Sequence, residues 1–263
     1  MTTPATSVQL YTLRELIAAD LPGTLRELAA IGLTAVEPHR FHFDVAGMRR
    51  ALAGAGLTAP SAHARLLQPA DDDAPGRLTI GPDAGAILDA AAELGIATVV
   101  QPTVPRETWQ SAGAVAALAE RLNEVAAIAA GRGVQVGYHN HAFELEQSRW
   151  HTDPGHSAIE VLAAALDPAV VLEIDTYWAA VGGLEPVALL QRLGRRVALL
   201  HVKDGPVTAA AGDQLPLGEG RMPIPEILRT AAHARPVIEL DDYRGDVLDA
   251  VRHSYRYLSG VRP

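Results

Sequence analysis

The chain has no cysteine, which removes disulfides and thiolate metal ligands and leaves the redox compartment unread. No apolar run approaches the roughly 18 residues that a membrane span needs. The opening Met1-Thr-Thr-Pro-Ala-Thr-Ser7 lacks the basic start and apolar centre of a secretory signal. A cytoplasmic protein with no membrane partner is therefore expected. Basic charge is scarce as well: 22 Lys and Arg face 31 Asp and Glu, for a net charge of −9. That balance repels polyanions, no local basic patch offsets it, and nucleic acid is not an expected partner.

What the chain does have is apolar material: 48% of its 263 residues are hydrophobic and its mean hydropathy is near zero. That is enough for one large α/β domain over residues 1–263. Short aliphatic runs alternate with amphipathic, glycine-stopped segments in one unbroken rhythm. Strands are expected at Ser7 to Tyr11, Thr34 to Glu37, Leu57 to His63, Ala97 to Pro102, Val134 to His139, Val170 to Asp175, Val197 to Lys203 and Pro236 to Leu240. Helices are expected from Leu21 to Ile31, Asp44 to Ala55, Pro82 to Leu94, Ala112 to Ala130, His156 to Leu166, Leu184 to Leu193, Pro225 to His233 and Asp246 to Leu258. Eight strands alternating with about eight helices predict a (β/α)8 TIM barrel ahead of a doubly wound open sheet.

Polar residues collect where the strands end. The stretch Val134-Gln-Val-Gly-Tyr-His-Asn-His-Ala-Phe-Glu-Leu145 breaks from an apolar run straight into Tyr138, His139, Asn140, His141 and Glu144. Three later strands end in Asp175, in His201 with Lys203, and in Glu239 with Asp241. Catalytic groups of a TIM barrel sit at such C-terminal strand ends. One imidazole and two carboxylates (His201, Asp175, Glu239) suit a divalent ion such as Mn²⁺, Mg²⁺, Co²⁺ or Zn²⁺. Glu173 and Asp175, His201 and Lys203, and Glu239 and Asp241 are pairs two apart, so both members of each face one side of the strand. Lys203 is read either as a cation for a sugar oxygen or enolate, or as an ion-pair partner for Asp175 or Glu173. Glu37, His39 and His63 stand at the tips of the second and third strands, placed to hold sugar hydroxyls or a solvated rim. Trp109, Trp150 and Trp178 are stacking candidates, Trp178 first because it follows Asp175; for the other two, packing is the plainer reading. Gly218-Glu-Gly220 reads as a turn. The long segments 63–81 and 205–221 read as a lid or rim.

These pieces resemble the sugar phosphate isomerase/epimerase family with its xylose-isomerase-like barrel. The resemblance rests on Gln9-Leu-Tyr11, Ser61-Ala-His63, Gly137-Tyr-His-Asn-His141 with Phe143-Glu144, Glu173-Ile-Asp175-Thr-Tyr-Trp178, His201-Val-Lys-Asp204, Gly218-Glu-Gly220 and Val237-Ile-Glu239. It implies metal ligation at Asp175, His201 and Glu239, and beside it the strand-end chemistry offers His139, Glu144, Lys203 and Glu239 as catalytic groups. Glu37, His63, His141 and Trp178 would bind substrate. One position departs: the epimerase branch ends its fifth strand in a metal-binding glutamate, where this chain has His139. Either Glu144 reaches back as the fourth ligand or His139 takes that place, and the second case leaves a two-glutamate proton relay incomplete and favours elimination or hydration with a histidine base. The implied activity is isomerisation or epimerisation of a sugar, keto sugar or related polyol, with a dehydratase or lyase acting on a 3-keto sugar or inosose as the alternative. An apurinic endonuclease fits the fold but not the charge. A non-catalytic sugar-binding subunit and a homo-oligomer stay open.

Overall fold

A computed structural model describes residues 4–70, 76–146 and 157–261. Trp150, His156 and the acidic Asp71, Asp72 and Asp73 lie outside the described residues. In chain order the strands are β1 (Ser7–Val8), β2 (Ser61–His63), β3 (Leu67–Pro69), β4 (Leu78–Ile80), β5 (Thr98–Gln101), β6 (Gln135–His139), β7 (Val171–Asp175), β8 (Val197–Val202) and β9 (Arg235–Ile238). The α-helices are α1 (Arg14–Ile31), α2 (Val45–Ala55), α3 (Ala84–Leu94), α4 (Ala112–Ala130), α5 (Ala158–Ala165), α6 (Thr176–Val181), α7 (Pro186–Leu193), α8 (Ile224–Thr230) and α9 (Val247–Val261).

Seven strands form one parallel sheet in the order β1-β9-β8-β7-β6-β5-β2. Residues 34–39 close it into a barrel: Gln9 bridges Glu37, Ala35 bridges Thr58 and His39 bridges His63, all in parallel. The expected second strand is thus present only as single bridges, because Pro38 has no N–H to extend the ladder. The strands are buried on both faces, as parallel strands under a helical coat must be. Their outer faces join the helices in one large core, and inside the barrel Val100, Leu199 and Val237 form a small apolar cluster of their own. Gly137 leaves room there: a Cβ would stand 3.1 Å from Val100 Cγ2 and 3.4 Å from Val171 Cγ2.

Local chemistry sets the helix ends. Asp44 accepts the N–H of Gly47 (2.8 Å) to start α2, and Ser111 accepts that of Ala114 (3.1 Å) to start α4. α1 begins earlier than the sequence suggests and bends at Asp20 (φ −154, ψ 87). There the carboxylate caps Gly23 N at 2.8 Å, and Pro22 tolerates the new first turn. The helix expected from Leu21 is this second half.

The two segments expected as a lid or rim carry structure of their own. Segment 63–81 contains the antiparallel pair β3 and β4. Segment 205–221 is tied down: Asp204 accepts the N–H groups of Gly205 (2.9 Å), Met222 (3.0 Å) and Gly218 (2.9 Å), and the Tyr177 hydroxyl accepts that of Thr208 (3.1 Å). These bonds tie the segment to the end of β8 and to α6. Gly218 turns there with φ +92, as a turn glycine should. Among the described residues no helix is long and apolar enough to cross a membrane.

Candidate active site

At the C-terminal ends of the barrel strands, Glu37, His63, His139, Glu173, Asp175, His201, Lys203 and Glu239 are all buried, none more than 9% exposed. Alternation within each strand explains the grouping: β7 contributes Glu173 and Asp175, β8 leads to His201 and Lys203, and the chain leaving β9 gives Glu239 and Asp241.

Glu173 is the hub of the inner layer. Its Oε2 lies 2.5 Å from His63 Nε2, 3.1 Å from His139 Nδ1 and 3.2 Å from His201 Nε2. His201 also lies 2.9 Å from Glu37 through Nε2 and 2.5 Å from Glu239 through Nδ1. Glu37 is further held by Gln9 Nε2 (2.8 Å) and by the Ser61 hydroxyl. In the outer layer Lys203 Nζ reaches Asp175 (2.8 Å), Glu239 (2.8 Å) and Asp241 (2.6 Å). The contact to Asp241 Oδ2 is a hydrogen bond, and the other two are ion pairs. Asp241 Oδ2 also accepts from Gln214 Nε2 (2.7 Å) and Trp178 Nε1 (3.1 Å). Asp175 has two duties: its Oδ1 accepts Trp178 N (2.8 Å) and starts α6, while its Oδ2 faces Lys203.

Three carboxylates (Asp175, Glu239, Asp241) therefore stand around one ammonium, Lys203, the only lysine in the sequence, while Glu37 and Glu173 stand against His201. Burial raises the pKa of Glu37, reinforced by Glu173, and burial raises that of Asp175. Burial would also raise Glu173 and Glu239, but neighbouring His201 and then His63 or Lys203 hold both well below the usual carboxylate range. The imidazoles diverge. Burial and the adjacent His201 push His139 well below the ordinary value, so it is neutral. Burial also opposes charge on His63 and His201, but Glu173 with Glu37 raises His63, and Glu173 with Glu239 raises His201 strongly.

The donor set fits a divalent cation. One atom each of His139, Asp175, His201 and Glu239 lies within 4.8 Å of the others, as does one each of His63, His139, Glu173 and His201. All are nitrogen or oxygen, the buried negative charge exceeds the buried positive charge, and Glu173 Oε1 is buried with no hydrogen-bond partner.

A cleft of about 920 Å³ opens over the cluster, lined by His63, His139, His141, Glu239 and Asp241 from the site and by Tyr11, His39 and Phe43 from the rim. The structure thus brings together His139, Asp175, His201, Lys203, Glu239, Glu37 and His63, and places His141 in the cleft wall. Glu37 is not the rim group expected, because its oxygens are already bonded below the cleft floor. Glu144, expected as ligand and acid/base group, is turned elsewhere: Tyr138 Oη (3.0 Å) and His141 N (2.8 Å) donate to its two oxygens. Trp178 binds Asp241 and is not part of the cleft wall, and Trp109 is buried against Tyr138. Sequence reasoning left Glu173, Asp241 and Asn140 unassigned. Strand parity with Asp175 and Glu239 was the available signal for the first two.

No curated protein sequence matches the chain. Among solved structures, a sugar phosphate isomerase/epimerase from Parabacteroides distasonis superposes with TM-score 0.79 at 24% identity, over 98% of this chain and 94% of that one. The probable 3-DHS dehydratase AsbF of Bacillus anthracis, involved in petrobactin synthesis, gives TM-score 0.73 at 14% identity over 97% and 98%. The IolI protein with a bound zinc atom gives TM-score 0.72 at 14% identity over 98% and 97%. A sequence profile described as xylose isomerase-like TIM barrel matches residues 25–257. With the closed parallel barrel and the polar strand tips, that match over most of the chain places the protein in the xylose isomerase-like TIM barrel family.

Proposed function

We propose that the protein is a divalent-metal-dependent isomerase or epimerase that moves a proton next to the carbonyl of a sugar, keto sugar or related polyol. The observation that carries this reading is one cleft floored by a buried N/O donor set and flanked by two imidazoles of opposed basicity, His139 and His63, with ring centroids 5.1 Å apart. Asp175, His201 and Glu239 would hold the ion, three protein ligands that leave positions for substrate oxygens. The mixed set suits Mn²⁺, Co²⁺ or Zn²⁺ better than Mg²⁺, which prefers oxygen alone. A bound ion supplies the Lewis acidity that polarises a carbonyl and its neighbouring hydroxyl.

The chain's own groups do the rest. Neutral His139 takes the proton from the carbon beside the carbonyl, and protonated His63 returns one, an acid and a base set apart by their surroundings. His141 lines the wall where substrate hydroxyls would lie. Lys203, saturated by carboxylates, keeps Asp175 and Glu239 in place.

Elimination by a dehydratase or lyase is the second reading, and one observation favours it: Glu144 is turned from the cleft and so does not pair with Glu239 in a two-glutamate relay. His63 would then protonate the departing oxygen. Incubating Mn²⁺-loaded protein with a panel of ketoses and inososes in deuterated water tests both. Isomers carrying deuterium beside the carbonyl support the first reading, unsaturated or cleaved products the second. Absence of both deuterium and product across the panel overturns the proposal.

A further inference from the structure

We infer that Glu144 is a positioning residue for the two cleft histidines and not a ligand of the ion, an inference that rests on reading the cluster as a metal centre. Glu144 is fully buried. A buried carboxylate needs donors, and it has two: the Tyr138 hydroxyl at 3.0 Å on Oε1 and the His141 backbone N–H at 2.8 Å on Oε2. Swinging the carboxylate to the ion would leave the buried Tyr138 hydroxyl and the partly buried His141 N–H unpaired.

The two bonds have a structural consequence. Tyr138 is the outward-facing neighbour of His139, its ring 5.7 Å from that of Trp109, and burial followed by Glu144 raises its pKa so that it stays a donor. Glu144 therefore ties the last outward side chain of β6 to the backbone just past the strand. The turn is tightened by Leu145 N (3.0 Å) and Glu146 N (3.1 Å), both donating to Ala142 O. It is backed by Gly182, where a Cβ would stand 2.8 Å from Ala142 O and 2.9 Å from Leu145 Cβ. Asn140 fixes the other side: its amide oxygen accepts Asp175 N (3.0 Å) and its amide nitrogen donates to Asp175 O (3.3 Å).

Along Tyr138-His139-Asn140-His141, alternate residues thus divide the work. Tyr138 and Asn140, with Glu144, form the frame. His139 and His141 enter the cleft at right angles to each other (5.2 Å, 87°), with His141 stacked on Phe143 (5.8 Å, 9°).

The test compares full-length wild type with Glu144→Gln and Tyr138→Phe, using Co²⁺ as the probe. Both variants should bind as much Co²⁺ as wild type by equilibrium dialysis, with an unchanged visible absorption band. The ring-nitrogen NMR signals of His139 and His141 should shift while those of His63 and His201 do not, and exchange of the His141 amide should speed up by about tenfold, the loss of one net hydrogen bond. Loss of Co²⁺ or a moved band in Glu144→Gln, with melting temperature kept, would make Glu144 a ligand and overturn the inference. Wild-type His141 exchange and ring signals in both variants would overturn it equally. If wild type binds no Co²⁺, the metal-centre reading fails, and the exchange and ring signals still decide whether Glu144 positions the histidines.

Discussion

Replacing Lys203 with Met keeps the length of the side chain and removes the one permanent cation of the cluster. Lys203 is 1% exposed, and its Nζ sits 2.6 to 2.8 Å from three carboxylates. Burial alone would lower its pKa, but Asp175, Glu239 and Asp241 raise it well above the ordinary value, so folding strongly favours the ammonium. Removing one partner of a buried ion cluster costs about 3–5 kcal/mol, because the remaining charges lose compensation without regaining water. With an unfolding entropy of about 2.1 cal/mol/K per residue, 263 residues make that a fall in melting temperature of roughly 5–9 °C. A bound divalent ion restores positive charge beside the same carboxylates. Saturating Mn²⁺ should therefore raise the melting temperature of Lys203→Met by more than it raises that of wild type. Scanning calorimetry of both proteins in EDTA and in excess Mn²⁺ provides the four values. A variant that melts within a degree or two of wild type in EDTA, or equal gains from Mn²⁺, would refute the charge accounting.

Asn140→Ala removes both bonds that bracket Asp175 and leaves its N–H buried, so stability should fall by about 2–3 kcal/mol by denaturant titration and Mn²⁺ affinity should fall with it. His139→Gln keeps a hydrogen-bonding group but not a base. On a turned-over substrate it should lose roughly 10²–10⁴-fold in rate while retaining metal, whereas near-normal turnover would remove His139 from the chemistry. Metal binding should release protons. Burial disfavours the charged form of His201, yet Glu173 and Glu239 hold its pKa well above the ordinary value in the metal-free protein, so a ligating ion must displace that proton. Calorimetry in two buffers of different ionisation heat should show the release, and Mn²⁺ affinity should weaken as pH falls.

The barrel was legible because the buried strands are short aliphatic runs and most of the helices between them stop at glycine. α4, with its regular apolar spacing and the Ser111 cap, matches expectation to the residue. The weakest strand on the page, residues 34–39, is also the weakest ladder, since Pro38 breaks both signals. The site was legible as strand tips, which is why Asp175, His201 and Glu239 meet. Tertiary partners were not: nothing in the sequence says that Glu37 will be consumed by Gln9, Ser61 and His201, or that Glu144 will turn to Tyr138. Glu173 was visible as the residue two before Asp175 and as a possible partner for Lys203, not as the carboxylate that three histidines share. Its position against three histidines depends on β6 and β8 flanking β7 and on the closed barrel bringing β2 within reach. Lys203 carried one further signal, as a lone lysine in a chain whose other 21 basic residues are arginine.

The most direct test of the metal centre is an anomalous difference map from a crystal of the protein soaked in Mn²⁺. One strong peak is expected at the barrel mouth, with Asp175, His201 and Glu239 each contributing an atom about 2.0–2.3 Å away. Glu144 should remain on Tyr138 and His141. A peak elsewhere, or saturating Mn²⁺ with no peak between those three side chains, would contradict it.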